Sequence, residues 1–135
     1  MDIGRRRIGV ALSDALGILA SPLVIIYSRG SRVDIEEIVN LAKKHEVERI
    51  IVGMPRSMDG SLGKEALRVQ KFIEILSKSS SVPIESWDER LSTVAAEREM
   101  TSGGASPAQK RLWLDAVAAS LVLQAYLDSR RVIQI

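Results

Sequence analysis

Cysteine is absent from the 135-residue chain, which removes disulfides, thiolate zinc sites, iron–sulfur clusters and a thiol nucleophile from consideration. Histidine occurs once, at His45, behind Lys43 and Lys44; near a helix end it reads as a partner of the helix dipole rather than a catalyst. No apolar run reaches the length of a signal-peptide core or a bilayer span, so the chain is read as soluble and without a membrane partner. No repeat of solenoid or propeller period occurs, and the serines from Ser77 to Ser81 make only a short connection. Chemistry must come from carboxylates, hydroxyls or amines.

What is present suits one packed domain spanning 1–135. Apolar residues make up 46% of the chain, enough to bury a core at this length. Nineteen basic against 17 acidic residues leave a formal charge of +2. That balance is compatible with a polyanionic partner.

Hydrophobic period then divides the chain. Ile8, Val10 and Leu12 alternate with Gly9 and Ala11, which predicts a strand over 7–12, and the β-branched run 23–27 predicts another. Ile35, Ile38, Val39 and Ala42 recur at helical spacing up to about His45, with Ser31 as the expected N-cap and Asp34 three residues on. The run 49–53 is almost wholly apolar, as in a strand covered on both faces. A loop over 54–63 leads to an amphipathic helix marked by Ala66, Leu67, Val69, Phe72, Ile73 and Leu76, then a strand at 83–87. A helical stretch is expected at 93–100. A final helix is expected to start at Ser106, with Pro107 in its first position, Gln109 completing a capping box, and Leu114, Val117, Ala118, Leu121 and Ala125 as its buried stripe.

The acids that stand out lie at element ends or against apolar faces. Asp2 precedes the turn at Gly4, Asp88 and Glu89 follow a strand, and Asp115 has Ala118, Ala119 and Val122 at i+3, i+4 and i+7. Strand ends are where open α/β sheets form ligand sites, and carboxylates are the ligands that hard cations such as Mg²⁺ and Mn²⁺ prefer. Each acid also has a plainer reading: a turn residue for Asp2, a solvated strand end for Asp88 and Glu89, an ion pair with Arg111 for Asp115. Alternation puts Asp88 and Glu89 on opposite faces, so one of the two points into a site. The segment from Gly53 to Gly63 combines glycines, hydroxyls and Arg56 before a helix, where backbone N–H groups could cradle a phosphate. It lacks the Lys-Ser/Thr ending of a Walker loop. Trp87 and Trp113 read as packing residues.

The predicted order, β-β-β-α-β-α-β and then helices, is the RNase H-like one: a mixed five-stranded sheet in which a three-strand antiparallel meander joins parallel strands, flanked by helices. Four segments, Asp2 to Asp14, Gly53 to Gly63, Asp88 to Thr93 and Asp115 to Ala119, closely resemble in order the YqgF family of Holliday-junction-resolvase-like, pre-16S rRNA nucleases. The resemblance implies divalent-metal phosphodiester hydrolysis in the cytoplasm and a role in maturing the 5′ end of 16S rRNA, with cleavage of branched DNA as a second implied activity. Matched by position, it makes Asp2, Glu89 and Asp115 the catalytic, Mg²⁺- or Mn²⁺-holding acids. Arg5, Arg7, Ser57, Ser61 and Arg90 are then expected to hold substrate phosphates. Family members carry several apolar residues before the first aspartate, whereas Met1 alone precedes Asp2 here; the first strand is therefore expected to be short. A non-catalytic RNA- or ribosome-binding module with the same fold is the rival reading.

Overall fold

Alternating side chains, with apolar residues on the covered face, set the sheet. The computed structural model describes residues 1–55, 63–91 and 107–133, and side chains over 1–55, 63–90 and 117–130. Strand β1 (Asp2–Ile3) pairs antiparallel with β2 (Arg7–Ser13), and β2 pairs antiparallel with β3 (Ala20–Tyr27). Helix α1 (Ser31–Lys44), strand β4 (Ile50–Met54), helix α2 (Lys64–Ser79) and strand β5 (Ile84–Asp88) follow, with β4 and β5 parallel. A single 3₁₀ turn (Glu89–Leu91) leaves β5, and helix α3 (Pro107–Ile133) closes the chain.

Met1 joins the two ladders. Its amine donates to the Ile51 carbonyl at 2.5 Å, and its carbonyl accepts from the Gly53 N–H at 2.9 Å. Those two bonds have the parallel pattern opposite Val52 and set β1 beside β4, so the three-stranded sheet β1-β2-β3 and the two-stranded sheet β4-β5 meet edge to edge through Met1 rather than as the single five-stranded ladder expected. One face carries Met1, Ile3, Ile8, Val10, Val52 and Met54 against the apolar stripes of α1 and α2. The other packs Ile51 and Trp87 against Ala118, Val122, Tyr126 and Leu127 of α3. Ala119 and Val122 are wholly buried, and small residues at that contact let the helix lie close to the strands.

Three expectations about local structure change. Strand β3 begins at Ala20 rather than at 23, and a register irregularity between Val10 and Ala11 accommodates Pro22 within it; an edge strand tolerates the missing N–H. Ser31 is the first helical residue of α1, not its cap: Gly30, at φ 105°, holds the cap position with no side-chain cap bond. Asp34 satisfies the helix entry instead, accepting from the Ser28 hydroxyl at 2.5 Å and the Arg29 N–H at 2.9 Å. This explains a carboxylate that is only 3% exposed. Strand β5 ends one residue later than expected, so Asp88 belongs to the strand and Glu89 to the turn. The stretch expected to be helical at 93–100 and the Ser106 cap lie outside the described residues.

Candidate active site

Asp2 and Glu89 lie near the ends of β1 and β5, on the side of the sheet that α3 covers. Because Met1 and Ile3 point into the α1/α2 core, alternation turns Asp2 to the α3 face. Gly4 ends β1 in a tight turn in which its N–H bonds the Arg7 carbonyl at 2.9 Å. A Cβ at Gly4 would stand 2.6 Å from that same oxygen, so glycine is required by close approach.

Glu89 comes to the same face from the 3₁₀ turn. A Cβ placed on Gly53 would lie 3.1 Å from Glu89 Oε1, 3.2 Å from its Cγ and 3.3 Å from Val122 Cγ2. The glutamate therefore rests over a strand position that has no side chain, next to α3. The Met1 amine feels both acids: burial pushes its pKa down to about 6, while the negative charges of Asp2 and then Glu89 act in the opposite direction. Asp88 is gripped by Arg90. Its carboxylate accepts from Arg90 Nη2 at 2.6 Å, from Arg90 Nε at 3.1 Å and from the Arg90 backbone N–H at 2.9 Å.

Asp115 lies in α3, one heptad before Val122 and so on the same helical stripe; its side chain is outside the described residues, as are Ser57 and Ser61. Among the described residues no set of three metal-ligating side chains forms.

The cations are already engaged. Arg5, 74% exposed, donates from Nε at 2.8 Å and Nη2 at 2.5 Å to Glu65 Oε1. Arg68 approaches the same carboxylate from the other side, its Nη2 donating to Oε2 at 3.0 Å. Together Arg5 and then Arg68 hold the Glu65 carboxyl below its ordinary pKa. Arg7 is half-buried in β2. Sequence reasoning overlooked Gly53 as the seat of Glu89, and it overlooked Glu65 and Arg68. Gly53 carried a signal, as a glycine inside an otherwise apolar strand; Glu65 and Arg68 carried none, since an acid and a base three residues apart on a helix read as surface.

Comparison with known proteins agrees with this architecture. Residues 1–129 match the RuvX family, which includes YqgF and is described as a Holliday junction resolvase. A protein of Halothermothrix orenii is 48% identical over 128 residues, 95% of this chain and 91% of its own length. One from Symbiobacterium thermophilum is 44% identical over 130 residues, 96% of this chain and 90% of its own. Both carry the name "Putative pre-16S rRNA nuclease". Among solved structures, Thermus thermophilus RuvC in complex with a Holliday junction substrate superposes with a TM-score of 0.55 at 13% identity, over 96% of this chain and 92% of that one. At that identity the likeness speaks for the fold.

Proposed function

The chain belongs to the RuvX family of nucleases, and on that premise we propose that Asp2, Glu89 and Asp115 form its catalytic acid set and that structured precursor rRNA in the cytoplasm is its substrate. The observation that carries the site is the seating of Glu89 over Gly53, on the face to which β1 turns Asp2 and against which α3 lies. Position 115, on the Val122 stripe, is the third acid that α3 can bring to that face.

The donor chemistry fits a divalent cation. The acids are hard oxygen ligands with no cysteine in the chain and the single histidine elsewhere, at the end of α1, a set that favours Mg²⁺ or Mn²⁺. When bound, such an ion supplies positive charge against the negative charge that develops on phosphate during hydrolysis. The chain's own part is orientation. Strand β1 and its Gly4 turn fix Asp2, the bare surface of Gly53 admits Glu89, and helix α3, packed on the sheet through Ala118 and Val122, carries position 115. Arg5 is placed to exchange an exposed carboxylate for a substrate phosphate, since a solvent-exposed ion pair is held only weakly against water. Arg90, forked on Asp88, holds its charge beside Glu89.

The substrate reading rests on the names of the relatives, and the branched-DNA alternative on the family description and on the junction-bound RuvC neighbour. Incubating the chain with Mn²⁺ and either a 5′-extended 16S rRNA fragment or a four-way DNA junction separates them. Cleavage of the RNA at its extension, lost on chelation, supports the proposal. Cleavage of the junction alone replaces the substrate, and binding without cleavage of either leaves a non-catalytic module.

A further inference from the structure

Strand β1 is held from both sides through alternate residues. Asp2 lies in register with Gly9 of β2, whereas Met1 turns both backbone polar groups to β4, bonding Ile51 and Gly53. The bonded contact of β1 with β4 stops at Met1; an ideal parallel ladder carried two residues further would call on residue 55 to donate to the Ile3 carbonyl. Residue 55 is proline, which has no N–H.

A side chain from α2 takes that place. Arg68 Nη2 donates to the Ile3 carbonyl at 3.0 Å, and Nη1 reaches the Gly4 carbonyl at 3.5 Å. Glu65 holds the guanidinium from behind, Oε2 accepting from Nη2 at 3.0 Å and from Nε at 3.3 Å. The Glu65 Oε1 atom meanwhile takes Arg5, from the far side of the same turn. We infer that Arg68 is a positioning residue for Asp2: it supplies the Ile3 carbonyl with the donor that Pro55 cannot and so fixes the C-terminal end of β1, one residue past the carboxylate. A charged donor suits the task, because charge-assisted bonds to carbonyls are stronger than neutral ones. The inference rests on the reading of Asp2 as a metal-holding acid.

The test compares the full chain with Arg68→Met, Arg68→Lys, and Arg68→Met combined with Pro55→Ala, which restores a backbone N–H. Three quantities are measured: Mn²⁺ affinity by calorimetry, kcat and KM on structured RNA, and hydrogen exchange of the Gly4 amide, which reports the turn itself. Arg68→Met is expected to weaken Mn²⁺ binding and lower kcat by about tenfold each, with KM within about twofold, the size expected for losing one charged hydrogen bond. Arg68→Lys is expected to fall between, and Pro55→Ala to recover part of the loss. Faster Gly4 exchange with unchanged Mn²⁺ affinity and kcat would make the contact merely structural and overturn the inference, as would the absence of any recovery with Pro55→Ala. Asp2→Asn distinguishes the two levels. If it binds Mn²⁺ and cleaves like the parent, the Asp2 reading falls and takes this inference with it; if it is inactive while Arg68→Met is unaffected, only the inference falls.

Discussion

The carboxylate of Glu89 occupies the space that a side chain on Gly53 would need, with Oε1 3.1 Å from where a Cβ would stand. Strand β4 thus offers Glu89 a surface without a side chain, and Val122 Cγ2 of α3 lies 3.3 Å from the same point.

Gly53→Ala is therefore expected to act on activity more than on stability. Overpacking a tight contact costs about 1–3 kcal/mol, within reach of a folded protein, whereas the glutamate must shift by tenths of an ångström. Cleavage should fall by about tenfold or more, as expected when a catalytic group is misplaced, with a modest drop in thermal midpoint. Parent-level turnover in Gly53→Ala would remove Glu89 from the site.

Gly4→Ala tests the turn that ends β1. Its Cβ would meet the Arg7 carbonyl at 2.6 Å, and backbone on both sides leaves no flexible atom to give way. A loss of about 1–3 kcal/mol in urea denaturation is expected, together with lost activity. An unchanged urea midpoint contradicts the tight-turn account.

At the entry to α1 the two polar residues are expected to differ. Asp34→Ala removes the acceptor of the Ser28 hydroxyl and the Arg29 N–H and should cost about 1–2 kcal/mol, the size of a lost helix cap. Ser31→Ala removes no cap bond and should change stability by less than about 0.5 kcal/mol. Equal effects in chemical denaturation would reverse the assignment.

The Met1 amine gives a pH dependence whose sign is fixed. Its pKa falls from an ordinary 8.0 to about 6 on folding, so between those values the unfolded chain binds more protons than the folded one. The stability of the chain with a free amine at Met1 should be undiminished above pH 8 and decline as pH drops from 8 toward 6. The loss should level off below that, at roughly 2–3 kcal/mol at most. Acetylating the amine keeps an N–H for the Ile51 carbonyl and removes the charge. Urea midpoints of acetylated and free chains should diverge between pH 8 and 6; parallel curves contradict the prediction.

Much of this fold was legible in the sequence because its signals are local. The alternation of Ile8 and Val10, the apolar run at 50–52 and the helical spacing of Val69, Phe72 and Leu76 each record which face is buried. The order of these elements then fixes a mixed sheet. The cap of α1 was misread because Ser31 has the residue type of a cap, while Asp34 does the work by reaching back to Ser28 and Arg29, a geometry that spacing alone leaves open. The placement of Asp88 and Glu89 turns on a boundary of one residue: Asp88 is inside β5 and Arg90 folds back onto it, while Glu89 belongs to the turn and reaches Gly53. Arg68 could not be found from the sequence at all. Its task is defined by a proline 13 positions earlier and a carbonyl at Ile3, which only the packing of α2 beside β1 brings within its reach.

The central claim is that Asp2, Glu89 and Asp115 share one divalent cation site, and the most direct measurement is anomalous X-ray scattering from crystals of the chain grown with Mn²⁺. A manganese peak within about 2.3 Å of carboxylate oxygens from Asp2, Glu89 and Asp115, on the α3 face beside Gly53, is the predicted result. Manganese bound elsewhere, or held at Asp88 with Glu89 turned away, would contradict it.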